Sequence, residues 1–190
     1  MKKENHNREI EVRFLDIDKN ALIKKLRSED AQDLGEDLLK EIIFYDKDLD
    51  WQRKVKKFVR LRKTKGKVFM TFKHQEQDNA IGVKEIEFEV EDFNKAKDFL
   101  EAIGLVAFRE QEKKRHTFTL DGVIIDIDTW PSVPTYVELE GPDEESLKTV
   151  ARRLEFDWSG AVFELPRYII EKRYGIPVSD LHFFTFNKIE

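Results

Sequence analysis

In several stretches of this sequence ionisable residues recur at every second position, often in like-charged pairs. Near the N-terminus stands Glu9-x-Glu11-x-Arg13; the middle carries Arg60-x-Arg62, Lys73 and Glu85-x-Glu87-x-Glu89. Arg115, Asp126-x-Asp128 and Glu138-x-Glu140 follow later. A period of two puts such residues on one face of a strand and the interposed residues on the other. Those interposed residues are apolar: Ile10, Val12 and Phe14, then Val59 and Leu61, then Ile86, Phe88 and Val90. Any one strand of this kind reads as half of a sheet with a wet face. Cross-strand Glu–Arg pairs would even stabilise such a face modestly. The whole set reads differently, because a wet face mixes in Thr, Ser and Gln and this one seldom does. The repetition points to a charged interior site built from carboxylates, guanidinium groups and amines.

The elements that must position these residues alternate strands with a few capped helices. A strand over 8–16 precedes a helix over 18–28, capped by Asp18 with Leu22, Ile23 and Leu26 as its apolar stripe. A polar stretch at 29–37 leads to a strand over 41–46, and 47–56 reads as a charged loop. Strands are expected over 57–63, 67–75 and 82–91, with turns at Gly66 and Asn79 to Gly82. On the strand over 67–75, Lys67, Phe69, Thr71 and Lys73 share a side. Asp92 caps a helix over 93–103 with Phe93, Ala96, Leu100 and Ile103 on one side and Gly104 as its stop. Asp121-Gly122 joins strands over 106–120 and 122–128 as a tight hairpin. A strand over 135–141 enters a helix over 143–155, and Pro166 opens a short helix that ends at Tyr174-Gly175. Phe183, Phe184 and Phe186 suggest a docked tail. About eight neighbouring strands with three or four helices predict an α+β fold on an antiparallel sheet. Closing such a sheet leaves a polar lumen, with the apolar faces packed outward on helices.

Composition narrows the classes. The 190 residues suit one domain, with 38% charged and 12% aromatic residues and a net charge of −5. That balance disfavours DNA or RNA as a partner. The absence of cysteine excludes disulfides and thiolate chemistry. The four histidines are scattered and make no zinc site. Residues 1–8 have no signal-peptide pattern and no apolar run reaches membrane-spanning length, so a cytoplasmic location without a membrane partner is expected.

Taken in order, these motifs resemble the CYTH family, the triphosphate tunnel metalloenzymes. The likeness rests on Glu9-x-Glu11-x-Arg13, Phe44-Tyr45-Asp46, Val59-Arg60-Leu61-Arg62 and Thr71-Phe72-Lys73, then Glu85-Ile86-Glu87, Arg115, Asp126 to Asp128 and Tyr136-Val137-Glu138-Leu139-Glu140-Gly141. It covers about 8–175, leaving 176–190 as a tail of one domain spanning 1–190. The resemblance implies an eight-stranded antiparallel β tunnel, with helices packed outside, that takes a triphosphate compound and Mg²⁺ or Mn²⁺. It implies Glu9, Glu11, Glu138 and Glu140 as metal ligands, joined by Asp126 or Asp128. Hard carboxylate oxygens suit such cations. Arg13, Arg60, Arg62, Lys73 and Arg115 would neutralise phosphate, with Lys172 or Arg173 as a further cation, and Glu87 would orient basic residues or a second metal. Glu9, Glu11, Arg13 and Glu87 thus form the expected catalytic set. Arginine suits phosphate because its planar fork grips two oxygens, but Arg13 replaces a family lysine and stays protonated, so it cannot act as a base. The implied activity is hydrolysis of inorganic, nucleoside or thiamine triphosphate. The alternatives are a class IV adenylate cyclase and a non-catalytic polyphosphate or nucleotide binder. A homodimer is a further expectation from the family.

Overall fold

In the computed structural model, residues 10–75 and 83–190 are described. Nine strands and four helices follow in the order β1 (Ile10–Phe14), α1 (Lys19–Ser28), β2 (Gln32–Asp46), β3 (Lys57–Thr64), β4 (Lys67–Gln75), β5 (Val83–Val90), α2 (Phe93–Ala102), β6 (Leu105–Leu120), β7 (Val123–Thr129), β8 (Tyr136–Gly141), α3 (Glu144–Arg153), α4 (Pro166–Tyr174) and β9 (Phe183–Phe184). Eight strands lie in the order β1-β8-β7-β6-β2-β3-β4-β5, antiparallel throughout, and β9 adds a short parallel pairing on β6.

The sheet is strongly curled. In a flat sheet β1 and β4 would stand six strand spacings apart, about 29 Å. Instead Lys73 Nζ on β4 lies 3.5 Å from a Glu11 carboxylate oxygen on β1. Among the described residues the ladder does not join β1 to β5, so side chains rather than backbone bonds bring the two edges together.

Curling leaves the buried apolar residues of β1, β7, β8 and much of β3 on the convex side, where helices cover them. One cluster joins Val12 and Phe14 with Ile125, Ile127, Val137 and Leu139 and packs them on Leu22 and Leu26 of α1 and on Leu147, Val150 and Ala151 of α3. A second joins Phe44, Val59 and Leu61 to Ala96 and Leu100 of α2. The helix starts follow local chemistry: Asp18, Asp92 and Asp143 each accept backbone N–H bonds from the first turn of their helix. Cutting a fully buried leucine such as Leu26 or Leu147 to alanine would cost about 2–5 kcal/mol.

Three local expectations change. The polar stretch 29–37 largely joins β2, because pairing with β6 and side-chain bonds such as Thr64 Oγ1 to Asp37 at 2.6 Å override its weak propensity. The loop 47–56 holds a π-helical turn, Trp51–Val55, whose entry is held by backbone N–H bonds from Asp50 and Trp51 to the Asp46 carboxylate. Ile103, expected in the stripe of α2, is 59% exposed because it caps the helix instead of turning inward. The turn signal at Asn79 to Gly82 lies outside the described residues.

Candidate functional site

The concave side of the sheet encloses a cavity of about 710 Å³. Period two decides its lining. β1 contributes Glu11 and Arg13, β8 Glu138 and Glu140, β3 Phe58, Arg60 and Arg62, β4 Lys73, and β5 Glu85 and Glu87. β6 adds Arg109, Gln111, Lys113 and Arg115, and β2 adds Glu41, Ile43 and Tyr45. Ten Lys and Arg side chains line the space against six Glu, although the whole chain carries −5. The cavity is therefore electropositive inside an acidic protein.

On one wall the acids meet embedded cations. Arg13, only 2% exposed, forms ion pairs with Glu11 and with Glu138, the latter at 2.5 Å. It also donates to the Glu164 carbonyl at 3.0 Å. Lys73 and Arg13 hold the Glu11 carboxyl below the usual range against the opposing pull of burial. Burial alone would raise Glu138, but Arg13 and Arg115 keep it far below the usual carboxylate value. Register sets these pairs: Glu11 lies opposite Glu140 and Arg13 opposite Glu138.

On the other wall the cations are braced by acids. Arg62 Nη2 donates to both Glu87 oxygens at 3.0 Å. Arg60 Nη2 donates to Thr71 Oγ1 at 3.3 Å, and Thr71 in turn donates to Glu87 at 2.5 Å. Lys73 pairs with Glu85 at 2.8 Å. The Nε groups of Arg13, Arg60 and Arg62 are buried with no hydrogen-bond partner among the described residues. Unmet buried donors cost free energy, and an anion in the cavity would satisfy those of Arg60 and Arg62.

The structure brings together Glu11, Arg13, Arg60, Arg62, Lys73, Glu87, Arg115, Glu138 and Glu140 around one space. Glu9 lies outside the described residues. Asp126 and Asp128 sit behind the wall rather than on it. Asp128, fully buried, accepts from Lys113 at 2.7 Å and from Arg115 Nε and Nη2 at 2.7 and 2.6 Å. Asp126 pairs with Arg115 at 2.5 Å and accepts from Thr117 at 2.6 Å, while burial pushes its carboxyl up. Both aspartates thus brace Arg115. Lys172 does not reach the cavity: it is a surface cation beside Glu164, because α4 turns Arg167 and Tyr168 inward instead. Arg173 likewise pairs with Asp16 on the surface.

Sequence reasoning missed Glu41, Gln111, Lys113 and Arg109. Glu41 alternates with Ile43 and Tyr45, so no repeated charge marks the inward face of β2. Lys113-x-Arg115 did carry the period-two signal.

The donor set suits a small divalent cation. Glu11, Glu138 and Glu140 are neighbours on β1 and β8, and the carboxylates of Glu11 and Glu138 are held ionised. Among the described residues no three acidic or histidine side chains converge into a closed cage. Magnesium does not need one, since it is commonly held by one or two carboxylates with substrate phosphate and water completing its shell.

Comparison with known proteins agrees with the geometry. A search of curated proteins finds no match. Among solved structures, a conserved hypothetical protein from Pyrococcus furiosus superposes with a TM-score of 0.68 at 23% identity, over 83% of this chain and 97% of that one. A candidate adenylate cyclase from Vibrio parahaemolyticus gives 0.70 at 15%, over 86% and 97%. A candidate adenylyl cyclase from Hippeastrum, described as having a dominant triphosphatase activity, gives 0.60 at 14%, over 90% and 94%. These likenesses establish a shared fold. The CYTH domain model matches residues 7–160, the span that supplies both walls of the cavity, and the chain belongs to the CYTH domain family.

Proposed function

We propose that this protein is a divalent-metal-dependent triphosphatase that releases the terminal phosphate of inorganic, nucleoside or thiamine triphosphate. The observation that carries this reading is the excess of four cations in a cavity whose opposite wall is carboxylate. A triphosphate brings the negative charge that this excess balances. Arg60, Arg62, Lys73 and Arg115 bind and orient its oxygens, and stabilise the charge that spreads over them during in-line displacement. Glu87 and Thr71 hold Arg60 and Arg62 in place before substrate arrives. Glu11, Glu138 and Glu140 would hold Mg²⁺ or Mn²⁺, which supplies Lewis acidity when bound. Arg13 keeps two of those carboxylates ionised and apart; it remains protonated and moves no proton. Water attacks the terminal phosphorus, and the bond to the bridging oxygen breaks to leave orthophosphate and a diphosphate.

Product analysis with tripolyphosphate, ATP and thiamine triphosphate, each with Mg²⁺ or Mn²⁺ and with chelator, tests the reading. Orthophosphate release that chelation abolishes supports it. Cyclic AMP with pyrophosphate would replace it with a cyclase. A melting shift with tripolyphosphate but no product would leave a binding module.

A further inference from the structure

A chain of three buried polar side chains runs along the cavity lining to Arg60. Glu41, Gln111 and Arg109 are 3%, 8% and 4% exposed. Arg109 Nε donates to Gln111 Oε1 at 2.9 Å, and Gln111 Nε2 donates to Glu41 Oε2 at 2.6 Å. The other Glu41 oxygen faces Arg60 Nη1 at 3.5 Å and has no hydrogen bond among the described residues. At the far end Arg109 Nη1 donates to the Val178 carbonyl at 2.6 Å. Val178 belongs to the segment after α4, beyond the residues 7–160 that match the family. That segment is docked: Phe184 is fully buried and stacks on Trp130, and β9 pairs with β6.

We propose that Glu41 is a positioning residue for Arg60, and that Gln111 and Arg109 tie it to the docked C-terminal segment. The inference rests on the triphosphatase reading. A buried polar chain of this length contributes little stability over an apolar packing of equal volume. What it supplies is direction, since each member is held at a hydrogen-bonding distance by the next and the last is held by a backbone carbonyl. Glu41 thereby fixes one side of the Arg60 guanidinium while Thr71 and Glu87 fix the other. The clamp is set before substrate binds, and its setting depends on a segment that carries no phosphate ligand itself.

Steady-state kinetics on full-length Glu41→Gln, Gln111→Leu and Arg109→Met with tripolyphosphate test this, alongside wild type and each variant's melting temperature. Glu41→Gln keeps the volume and the acceptor for Gln111 but removes the charge that holds Arg60. Misplacing a positioned group by a fraction of an ångström lowers kcat by roughly 10-fold. KM is expected to stay level or fall, because a negative charge beside an anion has gone. Gln111→Leu and Arg109→Met alter no carboxylate and are expected to lower kcat in the same direction with KM held. A lower melting temperature with wild-type kcat in Glu41→Gln and Gln111→Leu would overturn the positioning role. So would a fall in KM alone, which is the signature of simple charge removal. If Glu41→Gln does not fold, the same criteria apply to Gln111→Leu. Wild-type protein that releases no phosphate would overturn the triphosphatase reading and this inference with it. Active wild type with unaffected variants would overturn this inference alone.

Discussion

The wall formed by β1 and β8 and the wall formed by β3 and β4 obey the same period-two rule and carry opposite charge. The first turns inward Glu11, Glu138 and Glu140 and embeds one cation, Arg13, among them. The second turns inward Arg60, Arg62 and Lys73, braced by Glu41, Glu85 and Glu87 from the strands beside it. Each wall thus contains the counter-ion that makes its majority charge tolerable in a low-dielectric setting. β6 lies between them, its Arg115 and Lys113 facing Asp126 and Asp128. The difference teaches a division of labour: the acidic wall suits a cation, the basic wall suits phosphate, and a metal–triphosphate complex would span both.

Breaking the acidic wall is expected to have the largest effect. Glu138→Gln should lower kcat by at least about 100-fold while tripolyphosphate binding changes by less than about 10-fold, because the cationic wall survives. Phosphate release and titration calorimetry measure the two; equal losses in both would contradict the division. Arg62→Ala attacks the other wall. A hydrogen bond to a charged group contributes about 1.5–3 kcal/mol, so KM should rise about 10- to 150-fold. A rise in KM below three-fold would remove Arg62 from the phosphate site.

Acid stability sharpens the comparison. Burial would raise the Glu41 carboxyl, but Arg60, Lys113 and Arg62 hold it at about 2 instead of 4.5. A depressed folded value stabilises the protein above pH 4.5, and that contribution is lost as pH falls towards 2; it amounts to roughly 3 kcal/mol. Glu41→Gln should therefore flatten the fall in stability between pH 4.5 and 2, read from urea midpoints across that range. An unchanged slope would mean that Glu41 is not held by these cations. The smallest effect belongs outside the cavity. Lys172→Ala removes an exposed ion pair with Glu164 and should change KM by less than about two-fold.

Much of the fold was legible because its signals are local. The helix caps at Asp18, Asp92 and Asp143, the Asp121-Gly122 hairpin and the Pro166 helix start are each written within a few residues. The inward faces of β1, β3 and β8 were legible too, since repeated charges mark them. β2 was half hidden: its first residues are polar and exposed on both sides, and only pairing with β6 makes them a strand. Part of the cavity lining was hidden for a related reason. Glu41 and Gln111 belong to no like-charged pair at period two, and their importance comes from partners 70 positions apart.

By itself the sequence determined which residues share a face, where helices begin, and that carboxylates and guanidinium groups would gather, because those follow from backbone periodicity and short-range capping. Only the tertiary structure decided which charges meet. The curl of the sheet brought Glu11 against Lys73, set Asp126 and Asp128 behind Arg115 rather than on the wall, and sent Lys172 to the surface while Arg167 entered the cavity. Those outcomes depend on strand order and curvature, and no spacing along the chain contains either.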